Sequence, residues 1–150
     1  MANLVEAGHI RSVGVSNFNA SQMCRAHATL KKHGLPLAAN QMEYSLLNRK
    51  IESNDVITAA KELGVTITAY TPLGYGLLTG KYHKNPELFG QSSRGFILKR
   101  KFEQSRPVVE ALEKIGKNYD ATPGQVALNW VIHFQGETVV TIPGDRKSVV

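Results

Sequence analysis

Short apolar runs separated by longer stretches of helical periodicity set the rhythm of this chain. Residues 11–15, 37–41, 65–70 and 138–142 are each brief, apolar or β-branched, and bounded by Gly, Pro or Asn, as buried strands are. A helix is expected over 20–33, where Asn19 can cap the start, Gln22 follows three residues on, and Gly34 suits the end. A second should run over 52–63 and close at Gly64. The last helical stretches cover 106–119 and 123–134. Thr122 as cap, Pro123 at the first turn and Gln125 as return acceptor give the latter the clearest start in the chain.

Strands alternating with helices across short loops imply βαβ units, and so an α/β fold with a parallel sheet. In such sheets ligands gather at the carboxyl ends of the strands. The chain places Ser16 and Asn17 there, then Asn40 and Gln41, then Tyr70 with Thr71 and Pro72, then Pro143 and Gly144. Amide and hydroxyl side chains with one aromatic would suit a flat, polar ring. Simple capping of a strand end explains Ser16 and Asn17 as well at this level.

Composition narrows the field. A length of 150 residues with 42% hydrophobic content fits one globular domain over 1–150, large enough to bury roughly 70% of its unfolded surface. The one cysteine, Cys24, cannot form an internal disulfide, and no basic leader with an apolar run opens the chain, so a cytoplasmic location is expected. No apolar segment approaches the ~20 residues that cross a bilayer, so no membrane partner is expected.

The net charge of +6 is concentrated: residues 81–106 hold seven basic side chains against two acidic ones. A solvated face, a nucleic-acid patch and a site for a small phosphorylated ligand all fit such a stretch. Phe89, Phe96 and Phe102 are too irregularly placed to form a stacking platform, which argues against nucleic acid. The histidines lack paired ligand spacing, so no metal is expected and they should lie at the surface.

Five blocks together carry a resemblance: GVSNF at Gly14, NQMEYSLLNR at Asn40, AYTPLGYGLLTGKY at Ala69, TPGQVALNWVI at Thr122 and TIPGDRK at Thr141. In this order and spacing they resemble the second half of an aldo-keto reductase. The resemblance implies the fifth to eighth strands of a (β/α)8 barrel. The chain would be a parallel half of a TIM barrel, four βα units truncated at both ends, with residues 1–9 the tail of the preceding helix. A whole barrel takes about 250 residues.

The same resemblance assigns roles. Ser16, Asn17 and Gln41 would bind the nicotinamide carboxamide of NADP(H), and Tyr70 would stack on its ring. Thr71, Pro72 and Leu73 begin a glycine-containing turn that lets backbone groups approach a pyrophosphate, with Lys81 for the phosphates. Arg94 would lie over the adenosine end, and Gly144 and Arg146 at the 2′-phosphate. Lys99, Arg100 and Lys101 are expected to be solvated. The family's catalytic aspartate, tyrosine, lysine and histidine belong to the other half of the barrel. Tyr44, Tyr75, His83 and His133 are available by type, but none stands in a matching motif, so no catalytic residue is assigned.

The implied function is NADP(H)-dependent reduction of a small-molecule carbonyl, this chain supplying the cofactor-binding half and being inactive alone. The alternative is a non-catalytic half-barrel module for binding or assembly, with vestigial cofactor residues. Either would expose sheet edges capable of self-association.

Overall fold

The computed structural model describes residues 1–90 and 95–144, with side chains at 1–88 and 101–144. In chain order the elements are α1 (Ala2–Glu6), β1 (Val13–Ser16), α2 (Ala20–Lys31), β2 (Leu37–Glu43), α3 (Val56–Leu63), β3 (Thr66–Tyr70), α4 (Lys81–Lys84), α5 (Pro86–Gly90), α6 (Gly95–Lys117), α7 (Pro123–His133) and β4 (Val139–Thr141). The four strands form one all-parallel sheet in the order β1-β2-β3-β4. Among the described residues, β1 pairs only with β2 and β4 only with β3, so the sheet is open.

Local chemistry explains most boundaries. The Asn19 side chain accepts the Gln22 amide while the Gln22 side chain accepts the Asn19 amide, each at 2.9 Å, which closes the first turn of α2. Thr122 and Gln125 repeat the device at α7, with Pro123 inside the first turn. The strands begin or end within two residues of their expected limits, β2 running on to Glu43.

Two helices depart from expectation. The helix expected from residue 52 begins at Val56, because Asp55 takes left-handed backbone (φ 63°) and separates a short 3-10 turn at Lys50–Glu52 from α3. The helix expected from residue 106 begins at Gly95 and carries Pro107 inside it. Buried Phe102, Ser105, Val109 and Leu112 recur at helical spacing across that proline. Phe102 packs with Leu77, Leu47, Tyr75 and Tyr82. Tertiary burial therefore carries the helix through a residue that propensity alone places at its start.

The main core lies on one face of the sheet. Val13, Leu37, Val65, Ile67, Ala69 and Val139 meet Met23, Val56, Ala60 and Val131 from α2, α3 and α7. Gly116 allows the α6–α7 corner to close, since a Cβ there would collide with the carbonyl oxygen of Ala121. No helix among the described residues is long and apolar enough to cross a membrane.

Candidate functional site

Strand register assembles the first part of the site. Ser16 lies opposite Gln41, Gln41 opposite Thr68, and Glu43 opposite Tyr70. Alternation puts Gln41 on the open face while Ile67 and Ala69 point into the core. The Tyr70 hydroxyl donates to Asn17 Oδ1 at 3.1 Å, Asn17 Nδ2 donates to Ser16 Oγ at 3.3 Å, and Ser16 Oγ donates to the Gln41 carbonyl at 3.2 Å. The Asn17 amide also bonds the Gln41 carbonyl, at 2.9 Å. Four expected site residues from three strand ends thus form one exposed polar surface with a phenol ring beside it.

Asn40 behaves otherwise. Read from the sequence, it stands with Gln41 at a ligand-facing strand end, yet it is fully buried. Its side chain accepts the Phe18 amide at 3.3 Å and donates to the Phe18 carbonyl at 2.9 Å. Adjacent strand residues face opposite ways, so one amide of the pair is offered outward and the other ties down the loop behind Asn17. That loop carries strain: Asn17 has φ 56°. Thr71 (φ 49°) and Tyr75 (φ 59°) share the left-handed region, and backbone held this way concentrates at binding and switch sites.

The second part is an open cleft of about 1280 Å³ running from Thr71 past the start of α7 to the end of β4. Thr71, Pro72, Leu73, Lys81 and Gly144, all named from the sequence, line it. Thr79, Tyr82, Gln125 and Ile142 line it too, and sequence reasoning did not single them out for a site. The TPGQ start of α7 was legible as a cap but gave no sign of facing a cleft. Thr71 Oγ1 is buried without a hydrogen-bond partner among the described residues. Lys81 is exposed at the cleft wall. Arg94 and Arg146 lie outside the described residues.

Several sequence expectations need correction. Lys101 is more than a solvated charge: its Nζ lies 3.8 Å from Glu43 Oε1 and 5.4 Å from the centroid of the Tyr75 ring. His83 is partly buried against α6, its ring stacked on Phe102 at 4.6 Å, not out on the surface. Tyr44 is fully buried and donates to Glu52 Oε1 at 2.7 Å. Burial, then the Glu52 contact, raises its pKa far above the usual phenol value of 10.0. Arg49 holds Glu52 through both Nε and Nη2, which lowers the carboxyl from its ordinary 4.5. The Arg49 guanidinium also lies 5.1 Å from the centroids of both Trp130 and Phe134. This network ties the end of β2 to α7, away from the cleft.

No cluster of metal-ligating side chains occurs among the described residues. The donors present fit a dinucleotide: carboxamide and hydroxyl groups with an aromatic at one end, and a cleft with an orphan hydroxyl, a lysine and glycine backbone at the other.

The sequence model of the Aldo/keto reductase family matches residues 1–148. Aldo-keto reductase str7 of Strobilurus tenacellus is 42% identical over 153 residues, covering 98% of this chain and 44% of that protein. Aldo-keto reductase yakc of Schizosaccharomyces pombe, whose name specifies NADP(+), is 36% identical over 149 residues, covering 95% of this chain and 42% of that protein. A crystal structure of a thermostable aldo-keto reductase, Tm1743, in complex with the inhibitor epalrestat matches with TM-score 0.69 at 28% identity, over 99% of this chain and 43% of that one. The chain spans about two fifths of the length of these relatives.

Proposed function

The chain belongs to the aldo/keto reductase family, its four parallel strands forming part of a TIM barrel, and from that premise we propose that it is the NADP(H)-binding half of a carbonyl oxidoreductase. The observation that carries this reading is the convergence of Ser16, Asn17, Gln41 and Tyr70 beside the cleft that Thr71 and Lys81 line. When bound, the cofactor supplies a hydride to the carbonyl carbon of a small-molecule substrate.

The chain's own residues bind and orient. With Asn17 Oδ1 taken by Tyr70 and one Nδ2 hydrogen by Ser16, its second Nδ2 hydrogen is free for a carboxamide oxygen. The exposed Gln41 side chain offers a donor and an acceptor beside it. Tyr70 covers one face of the ring, leaving the opposite face to the substrate. Lys81 neutralises phosphate charge, Thr71 and its turn approach the pyrophosphate, and Gly144 and Arg146 select the 2′-phosphate. Arg94 is assigned to the adenosine end. The name of yakc, which specifies NADP(+), supports the choice of NADP(H). The exposed, unpaired Cys24 suits a reducing compartment such as the cytoplasm.

Catalysis of carbonyl reduction also needs a positioned general acid, typically contributing about 10² to 10⁴-fold. None of the 150 residues matches the family's acid, so the chain alone should bind cofactor and show no NADPH oxidation with a reactive aldehyde. Turnover that survives repurification and disappears in Tyr70→Ala would contradict this assignment. The edges at β1 and β4, unpaired among the described residues, with Val140 47% and Ile142 46% exposed, support self-association of the isolated chain. Sedimentation should show association rising with concentration, and a compact monomer at all concentrations would exclude it.

A further inference from the structure

Lys81 opens α4, a helix of only four residues. A single turn does not hold itself together in water, because nucleation fixes several residues for one hydrogen bond. Whatever presents Lys81 to the cleft must therefore come from outside α4. Tyr82 of α4 packs with Phe102 of α6, and Lys84 and His83 reach α6 as well. Lys84 Nζ approaches Glu113 Oε1 at 3.5 Å, but with the lysine side chain 68% exposed this is a surface pair of little strength.

The His83 contact is partly buried. His83 Nε2 lies 3.1 Å from Ser105 Oγ and 3.3 Å from the Phe102 carbonyl, and its ring stacks on Phe102. Ser105 is fully buried and donates to the Phe102 carbonyl at 2.7 Å. A carbonyl only accepts, and the Ser105 proton is already committed to it, so His83 Nε2 carries the ring proton and donates to this pair. His83 Nδ1 is buried without a partner among the described residues, consistent with a ring fixed by its other nitrogen. Ahead of Lys81, a Cβ added at Gly80 would come within 3.3 Å of Glu113 Oε1 and 3.4 Å of Val109 Cγ1, so the turn runs close to α6.

We infer that His83, through its clamp on Ser105 and the Phe102 carbonyl, is a positioning residue that holds α4 so that Lys81 faces the phosphate-binding part of the cleft. The inference rests on the reading of Lys81 as a phosphate ligand given above. It assigns His83 no contact with cofactor or substrate. Its effect on binding runs entirely through Lys81.

Two readouts separate the clamp from the ligand. Hydrogen exchange of the amides of residues 83–85, which bond back to Gly80 and Lys81, reports on α4 with no cofactor present. Calorimetric titration with NADPH reports on Lys81. His83→Leu should speed that exchange and weaken NADPH binding by about tenfold, a loss of roughly 1.4 kcal/mol. His83→Gln, which keeps an N–H donor near the Nε2 position, should recover most of both losses. In a Lys81→Met background, His83→Leu should change NADPH affinity by less than about twofold, since coupled residues are not additive. Ser105→Ala should repeat the His83→Leu effects at smaller size, so the outcome does not depend on one variant folding.

Unchanged exchange in His83→Leu and Ser105→Ala would overturn the clamp. A His83→Leu loss of affinity that persists undiminished without Lys81 would make His83 a general structural residue and overturn the inference. If Lys81→Met binds NADPH as tightly as the parent, the phosphate reading of Lys81 fails and the inference falls with it, while the exchange data show separately whether the clamp exists.

Discussion

The same four strands present two unlike faces. Val65, Ile67 and Ala69 of the β3 stretch are buried under helices, while Thr66, Thr68 and Tyr70, the alternate residues, are only partly covered. The covered face is apolar and closely packed; the open face carries Gln41, Glu43, Thr68 and Tyr70. A period of two lets one strand serve as core on one side and as an open polar surface on the other. Stability and ligand affinity should therefore respond to different residues even where those residues are neighbours.

The sharpest test of that division is a pair of adjacent substitutions. Ile67→Ala should cost about 2–5 kcal/mol in urea unfolding, through lost burial and the cavity left behind. Thr68→Ala on the open face should stay within about 0.5 kcal/mol. Equal costs would break the distinction.

Asn40 and Gln41 sharpen it further. Asn40→Ala removes two bonds to the Phe18 backbone and leaves buried groups unpaired, so a destabilisation of about 1–3 kcal/mol is expected. Gln41→Ala should leave the unfolding midpoint unchanged and weaken NADPH binding. Loss of stability in Gln41→Ala, or none in Asn40→Ala, would mean the two amides have been assigned to the wrong faces.

The strands and the capped starts of α2 and α7 were legible because each depends on local chemistry. Apolar alternation marks a strand, and Thr122 with Gln125 marks a cap wherever the chain folds. What was not legible depends on distant partners. The start of α6 read as part of a basic stretch outside the expected helix, because the packing of Phe102 against Leu77 and Tyr82 involves residues distant in sequence. His83 read as a surface histidine, because Ser105, which binds it, lies 22 residues away. Asn40 and Gln41 were grouped because a strand end was located without fixing which residue faced which way.

The smallest expected effect lies in the network behind the site. Glu52 has its carboxyl lowered by Arg49 and, more weakly, by Tyr44, so its ionised form is favoured in the folded protein. That contribution is fully present above the unfolded value near 4.5 and is lost as pH falls through the lowered folded value. Arg49 is 47% exposed, so solvent screening keeps the contribution below about 1 kcal/mol. Glu52→Gln should flatten the acid limb of a stability-pH profile and leave the neutral cofactor affinity alone. An unchanged acid limb would show the pair to be energetically silent.

The central claim, that the carboxyl ends of these strands hold NADP(H), is tested most directly by calorimetric titration of the chain with NADPH and NADH, before and after Tyr70→Ala. Charge-assisted contacts to the 2′-phosphate, worth about 1.5–3 kcal/mol, predict NADPH binding at least about tenfold tighter than NADH. Tyr70→Ala should weaken both cofactors, since the nicotinamide is common to them. Equal affinity for the two cofactors, or indifference of both to Tyr70→Ala, would contradict the account.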